Sequence, residues 1–207
     1  MNTVLFVLRE AGGETVIFTY AVYLFKQANC PIDPFTSTII VGVLRIICTL
    51  TGSKLMDKMG RRPLLLASSF FCALSVAIAG GIHIANIINE ASKWTTVVCI
   101  YIFVASYGLG LGPILWGLSG ELTPSPIRTV GCSIIFTAFG ASAFLFSNCF
   151  IDMVTAFGLG GALVFFSGAI VLLIIVAAIW LPETKGKTLL EIETLFASQS
   201  SNVVSNA

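Results

Sequence analysis

Histidine occurs once, at His83, and charged side chains make up only 10% of the 207 residues while hydrophobic ones make up 57%. So little charge excludes a domain that meets water on all sides. The formal net charge of +1 points to no partner, and nothing in the chain points to nucleic acid. The first residues lack the basic start and small-residue cleavage site of a secretory signal. No Ser/His/Asp set, metal-ligand cluster or nucleotide loop is present, so no enzyme activity, catalytic residue, cofactor or metal is expected. The six cysteines, Cys30, Cys48, Cys72, Cys99, Cys132 and Cys149, show no CxxC spacing and read as small apolar packing residues.

What is there instead is length without charge. Met153 to Pro182 and Thr95 to Gly120 carry no charged residue, and each run exceeds the roughly 20 residues that cross a bilayer core. Similar runs follow Asp33, Pro63 and Thr129, and another starts at the N-terminus. The pattern predicts an all-α membrane protein with six transmembrane helices, over approximately 1–25, 34–55, 63–85, 95–120, 129–150 and 158–181. After them, "GKTLLEIETLFAS" suits a short helix at 187–197 lying on the inner surface, and 198–207 reads as a disordered tail. Residues 1–197 then form one six-helix unit in the lipid bilayer.

Lys54, Lys58, Arg61 and Arg62 gather between the second and third spans, Arg128 between the fourth and fifth, and Lys185 and Lys187 after the sixth. Positive loops stay inside, so both termini are expected in the cytoplasm. Trp94 and Trp180 fall at opposite interfaces, whereas Trp116 falls well within a span. The two groups of three spans have opposite topology, as an inverted 3+3 repeat would.

Three stretches are more specific than hydropathy. "MDKMGRRPLLL" places Asp57, Gly60, Arg61 and Arg62 in a short inner loop, "GLGLGPILWGLSGELTPSPIR" fills the fourth span and the loop after it, and "LPETKGKTLLEIE" closes the last. In this order they resemble the second half, helices seven to twelve, of a sugar porter of the major facilitator superfamily, with "STIIVGVLR" and "YGLGLGPILW" closest to insect trehalose-transporter-like members. The resemblance implies carriage of a sugar or related polar solute by alternating access, in the plasma membrane. It also implies a second six-helix half, from the same longer chain or another subunit, that encloses the site. A truncated or non-transporting remnant, such as a sensor that keeps the fold, is the alternative.

Opposite charges collect at the inner face: Asp57, Arg61 and Arg62, Glu121 at the end of the fourth span, and Arg128 beyond it. The basic residues alone also fit plain positive loops, but Glu121 in a run without another acid calls for an arginine partner. The resemblance implies a cytoplasmic gate of these residues with Glu183. Gly108, Gly110, Gly112 and Pro113 form a helix-weakening stretch expected to kink and line a cavity, and Trp116, one turn on, is placed to stack on a sugar or to serve as a bulky packing residue. Gly131, Gly140, Ala141, Ser142 and Ala143 suit close helix packing.

The charges of "LREAGGETVIF" stand where that family binds sugar. The resemblance sets its paired glutamines on Arg9 and Glu10, its downstream asparagine on Thr15 and an amide of the eighth helix on Arg45. Phe139 and Gly140 take the place of an Asn-Trp pair, and Leu115 that of a proline. Arg45 lies near mid-span and needs a partner. Glu10 and Glu14 share a helical face while Arg9 points about 100° away from Glu10, so Arg45 is expected to pair with Glu10 or Glu14. Such a pair is either a structural lock or part of a site for a polar solute. Alternatively, Arg9 and Glu10 stand in water at the chain's start. Candidate solute contacts are Trp116, Thr15, Glu10, Arg45 and Gly112.

Overall fold

The computed structural model describes residues 2–28, 30–86, 89–121 and 128–180, without the side chains of Asp57, Gly120, Glu121 and Arg128. Glu183, the helix expected at 187–197 and the tail lie outside the described residues. Within them the regular elements are all helical: α1 (Asn2–Ala11), α2 (Glu14–Thr19), α3 (Ala21–Gln27), α4 (Pro34–Met59), α5 (Arg61–Ile84), α6 (Glu90–Ser106), a π-helical turn (Tyr107–Leu111), α7 (Gly112–Glu121) and α8 (Arg128–Trp180).

Among the described residues four helical stretches, not six, have the length and apolarity to cross a membrane: Pro34–Met56, Arg61–Ile84, Glu90–Ser119 and Thr129–Trp180. Two departures explain the difference from the sequence-based expectation. The first expected span, 1–25, is no single helix, because Gly13 at φ +81° and the non-helical Tyr20 divide it into α1, α2 and α3. The fifth and sixth, expected as separate spans, form one helical run interrupted at Gly158, whose φ is 73° and ψ 169°.

That run is folded back on itself. Phe150 and Phe166 stack with centroids 6.1 Å apart, and Phe146 and Phe165 lie at 6.5 Å. Sixteen residues along a straight helix would separate the first pair by about 24 Å. The chain therefore reverses at Gly158, where L side chains resist the positive φ. Open space surrounds its Cβ position, so the cost of Gly158→Ala is conformational alone. We expect a loss of about 1–3 kcal/mol, measured as a lowered melting temperature of the purified protein; an unchanged one would mean the reversal does not depend on glycine.

Other boundaries follow local rules. Asp33 caps α4 by accepting from the backbone N–H groups of Phe35 and Thr36, both at 3.1 Å, with Pro34 opening the helix. Gly60 alone separates α4 from α5. The core between α5, α6 and α8 buries Leu65, Phe103, Phe150 and Phe166. Close helix approach falls at Gly80 and Gly160, where a Cβ on Gly160 would sit 2.8 Å from the Gly80 carbonyl oxygen. Gly140, expected to serve such packing, faces open space instead.

The π turn is held equally tightly. A Cβ on Gly52 of α4 would overlap the carbonyl of Leu109, and one on Gly108 would lie 2.9 Å from Cys48 Cβ. The helix-weakening glycines thus widen one turn and bring two backbones together. This contact sets Tyr107, at the head of the π turn, against the N-terminal helices.

Candidate functional site

The three charges of the opening segment converge inside the protein. Arg9, Glu10 and Glu14 are 2%, 1% and 5% exposed, so Arg9 and Glu10 do not stand in water. On an unbroken helix residues 9 and 14 would lie 140° apart. The break at Gly12–Gly13 re-phases α2 against α1, and Arg9 Nη2 comes to lie 2.5 Å from Glu14 Oε2.

Tyr107 completes the hold on Arg9. Arg9 Nε donates to the Tyr107 hydroxyl at 2.8 Å, and Arg9 Nη2 donates to the same oxygen. Four rings surround the guanidinium, with its central carbon 5.1 Å from the Trp116 centroid, 5.4 Å from Phe139, 5.5 Å from Tyr107 and 5.6 Å from Phe6. In a dry site such faces attract a cation appreciably. The rings also support one another, Trp116 meeting Phe6 at 5.3 Å and Phe139 at 5.2 Å.

Arg45 enters from α4. Its Nη2 lies 3.2 Å from Glu14 Oε1, and its guanidinium sits 3.9 Å over the Phe18 ring. Of the two carboxylates open to Arg45, the structure places Glu14 beside it, so Glu14 bridges two arginines. Glu10 is served differently, since Thr15 Oγ1 donates to its Oε2 at 2.5 Å while its Oε1 has no hydrogen-bond partner and lies 3.9 Å from Arg9 Nε. Arg9 Nη1 is likewise without a hydrogen-bond partner. Arg9 and Arg45 are held by Glu14 between them, and such pairing lets buried charges persist in an apolar interior.

The candidate solute contacts are therefore brought together, though not all as direct contacts. Glu10, Thr15, Arg45 and Trp116 belong to one cluster; Trp116 is 40% exposed, leaving part of its surface free. Gly112 acts through Tyr107, because a Cβ there would lie 2.8 Å from Tyr107 Cε1. Arg9 and Tyr107 were not among the sequence-based candidates. The double glycine was the available signal for Arg9, since it places Glu14 outside the helical phase of α1. Tyr107 had none, because its reach follows from the π turn.

At the expected inner gate, Arg62 Nη2 donates to the Ala178 carbonyl at 2.6 Å, joining the start of α5 to the end of α8. Arg61 is the first residue of α5. The side chains of Asp57, Glu121 and Arg128, and all of Glu183, lie outside the described residues.

Long apolar helices around a buried, ion-paired and aromatic-lined cluster define an integral membrane protein with a polar site in its interior. The family model described as "Sugar (and other) transporter" matches residues 1–196, and the chain belongs to that family. It is 35% identical over 191 residues to the facilitated trehalose transporter Tret1 of Drosophila erecta, covering 89% of this chain and 22% of the relative. It is 34% identical to the Tret1-2 homolog of Drosophila sechellia, covering 91% and 39%. Among solved structures it is similar to the major facilitator proton:xylose symporter XylE bound to 6-bromo-6-deoxy-D-glucose, at 27% identity and a TM-score of 0.83, covering 94% of this chain and 42% of that one. The inward-open XylE of E. coli gives 26% and 0.80. The chain thus spans between 22% and 39% of the length of these curated relatives.

Proposed function

We propose that the chain is the C-terminal half of a sugar porter, carrying a sugar or related polar solute across the plasma membrane by alternating access together with a second six-helix half. The carrying observation is the junction of Trp116 with Glu10, Thr15 and Arg45 in one polar, aromatic-lined interior site. In this reading α1–α3 act as one interrupted crossing and the two arms of α8 as two, giving six crossings in a 3+3 arrangement. Interrupted helices at a midplane site are what transporters use to expose backbone and side chains to solute. Both termini lie in the cytoplasm, and Asp57, Arg61, Arg62, Glu121, Arg128 and Glu183 form the inner gate. The chain is no enzyme.

Uptake of labelled trehalose and of labelled glucose by cells expressing the intact protein tests this reading. Trp116→Ala removes the stacking surface, worth about 0.5–1.5 kcal/mol for an aromatic contact, and should raise KM roughly 2- to 10-fold at unchanged surface expression. No uptake of either sugar by a correctly inserted protein would refute the transporter reading. That result would favour the second one, a non-transporting remnant, which the seat of Arg9 against Trp116 supports. There the ion-paired cluster is a lock.

A further inference from the structure

The charges of the cluster do not divide evenly. Glu14 takes both arginines, Arg9 on Oε2 and Arg45 on Oε1. Glu10 is left with a 3.9 Å approach from Arg9 Nε, a hydrogen bond from Thr15, and an Oε1 that is buried without a partner. A carboxylate whose only nearby arginine is held more closely by another acid, and whose second oxygen accepts no hydrogen bond, is costly in a dry interior.

The geometry points to Glu10 as a proton-binding site: it carries a proton on Oε1 while the cluster is closed and releases it when the cluster opens. The groups around it are Arg9 on α1 and Thr15 on α2, and beyond Arg9 lie Glu14, Tyr107 on the π turn, the uncharged rings of Trp116 and Phe139 on α7 and α8 and, through Glu14, Arg45 on α4. Opening separates α1 from α2 about Gly12–Gly13, which parts Arg9 from Glu14 and admits water. The O–H bond of Glu10 then breaks, the electron pair stays on the carboxylate, and the proton passes to cavity water while Arg9, freed of Glu14, neutralises the new anion. Closure reverses each step. One proton is thus bound and released in each cycle of the cluster, and in a transporter that couples solute movement to proton movement. The coupling rests on the sugar-porter reading; the proton site does not.

Two measurements on the purified, intact protein separate these claims. Infrared titration at neutral pH should show the carbonyl stretch of a protonated carboxylic acid that disappears in Glu10→Gln. It should also disappear in Glu14→Gln, because Arg9 then becomes available to ionise Glu10. Absence of the band in the wild type, or its survival in Glu10→Gln, would overturn the proton site. In proteoliposomes holding a pH-sensitive dye, addition of trehalose or glucose outside should acidify the lumen of the wild type but not of Glu10→Gln. Sugar flux without acidification in the wild type would overturn the coupling. No flux of either sugar would overturn the transporter reading and leave the infrared result to decide the proton site.

Discussion

Arg9→Met should be among the most damaging single changes in this chain, at a cost of about 3–5 kcal/mol, the range for breaking a buried pair by removing one partner. Methionine fills much of the arginine's volume, so the loss is electrostatic rather than a cavity. It strips Glu14 of its 2.5 Å partner and leaves the Tyr107 hydroxyl without the two N–H donors it now accepts. The melting temperature of the purified protein in detergent reads this directly. Glu14→Gln should also be harmful, because it leaves Arg45 without its carboxylate and Arg9 with only the more distant Glu10. The double change Arg9→Met with Glu14→Gln should be milder than the sum of the two, since each single leaves a charge that the other removes. Additive losses would show that Arg9 and Glu14 are near neighbours without energetic coupling.

Arg45 offers a graded comparison. Its side chain is 43% exposed, against 2% for Arg9, and its removal leaves Glu14 the closer Arg9 partner. Arg45→Gln should therefore cost well under what Arg9→Met does, on the order of 1 kcal/mol, by the same melting measurement. A loss as large as that of Arg9→Met would mean that Arg45, not Arg9, anchors Glu14.

How far the sequence discloses this site depends on what sets each residue's place. Helix character and rough boundaries follow from long apolar runs and from caps such as Asp33-Pro34, which act locally and are readable without neighbours. The pairing of Arg45 with an acid of the first segment is legible too, because a mid-span arginine has few ways to be satisfied. The choice of Glu14 over Glu10 is not. It depends on Gly13 adopting φ +81°, which rotates everything after it relative to Arg9. A periodicity argument that assumes one unbroken helix puts Arg9 on the wrong face, and hides its ion pair with Glu14. Tyr107 is hidden for a related reason: its hydroxyl reaches Arg9 only because the turn that it begins is π-helical and lies against Gly52. A reversal between the fifth and sixth spans is legible from the length of the apolar run, but its seat at Gly158 is not, because "AFGLGGAL" carries no polar turn residue and the positive φ of one glycine suffices.

Gly13→Ala tests the rotation itself. Two penalties act together at this position. Alanine at φ +81° meets the steric cost of the left-handed region, about 1–2 kcal/mol. Its Cβ would also lie 2.6 Å from Phe166 Cδ2, an overlap with a fully buried ring of α8 that costs about 1–3 kcal/mol to relieve. The expected loss is about 2–5 kcal/mol, and any relaxation that straightens α1 into α2 would draw Glu14 away from Arg9. Adding Phe166→Leu separates the contributions, because it relieves the overlap and leaves the backbone penalty. We therefore expect the double variant to recover part of the melting temperature relative to Gly13→Ala alone. Sugar uptake should remain impaired, because the charges still fall out of register. Full recovery of both stability and uptake would show that the ring overlap was the whole effect, and that the left-handed glycine is not what brings Arg9 to Glu14.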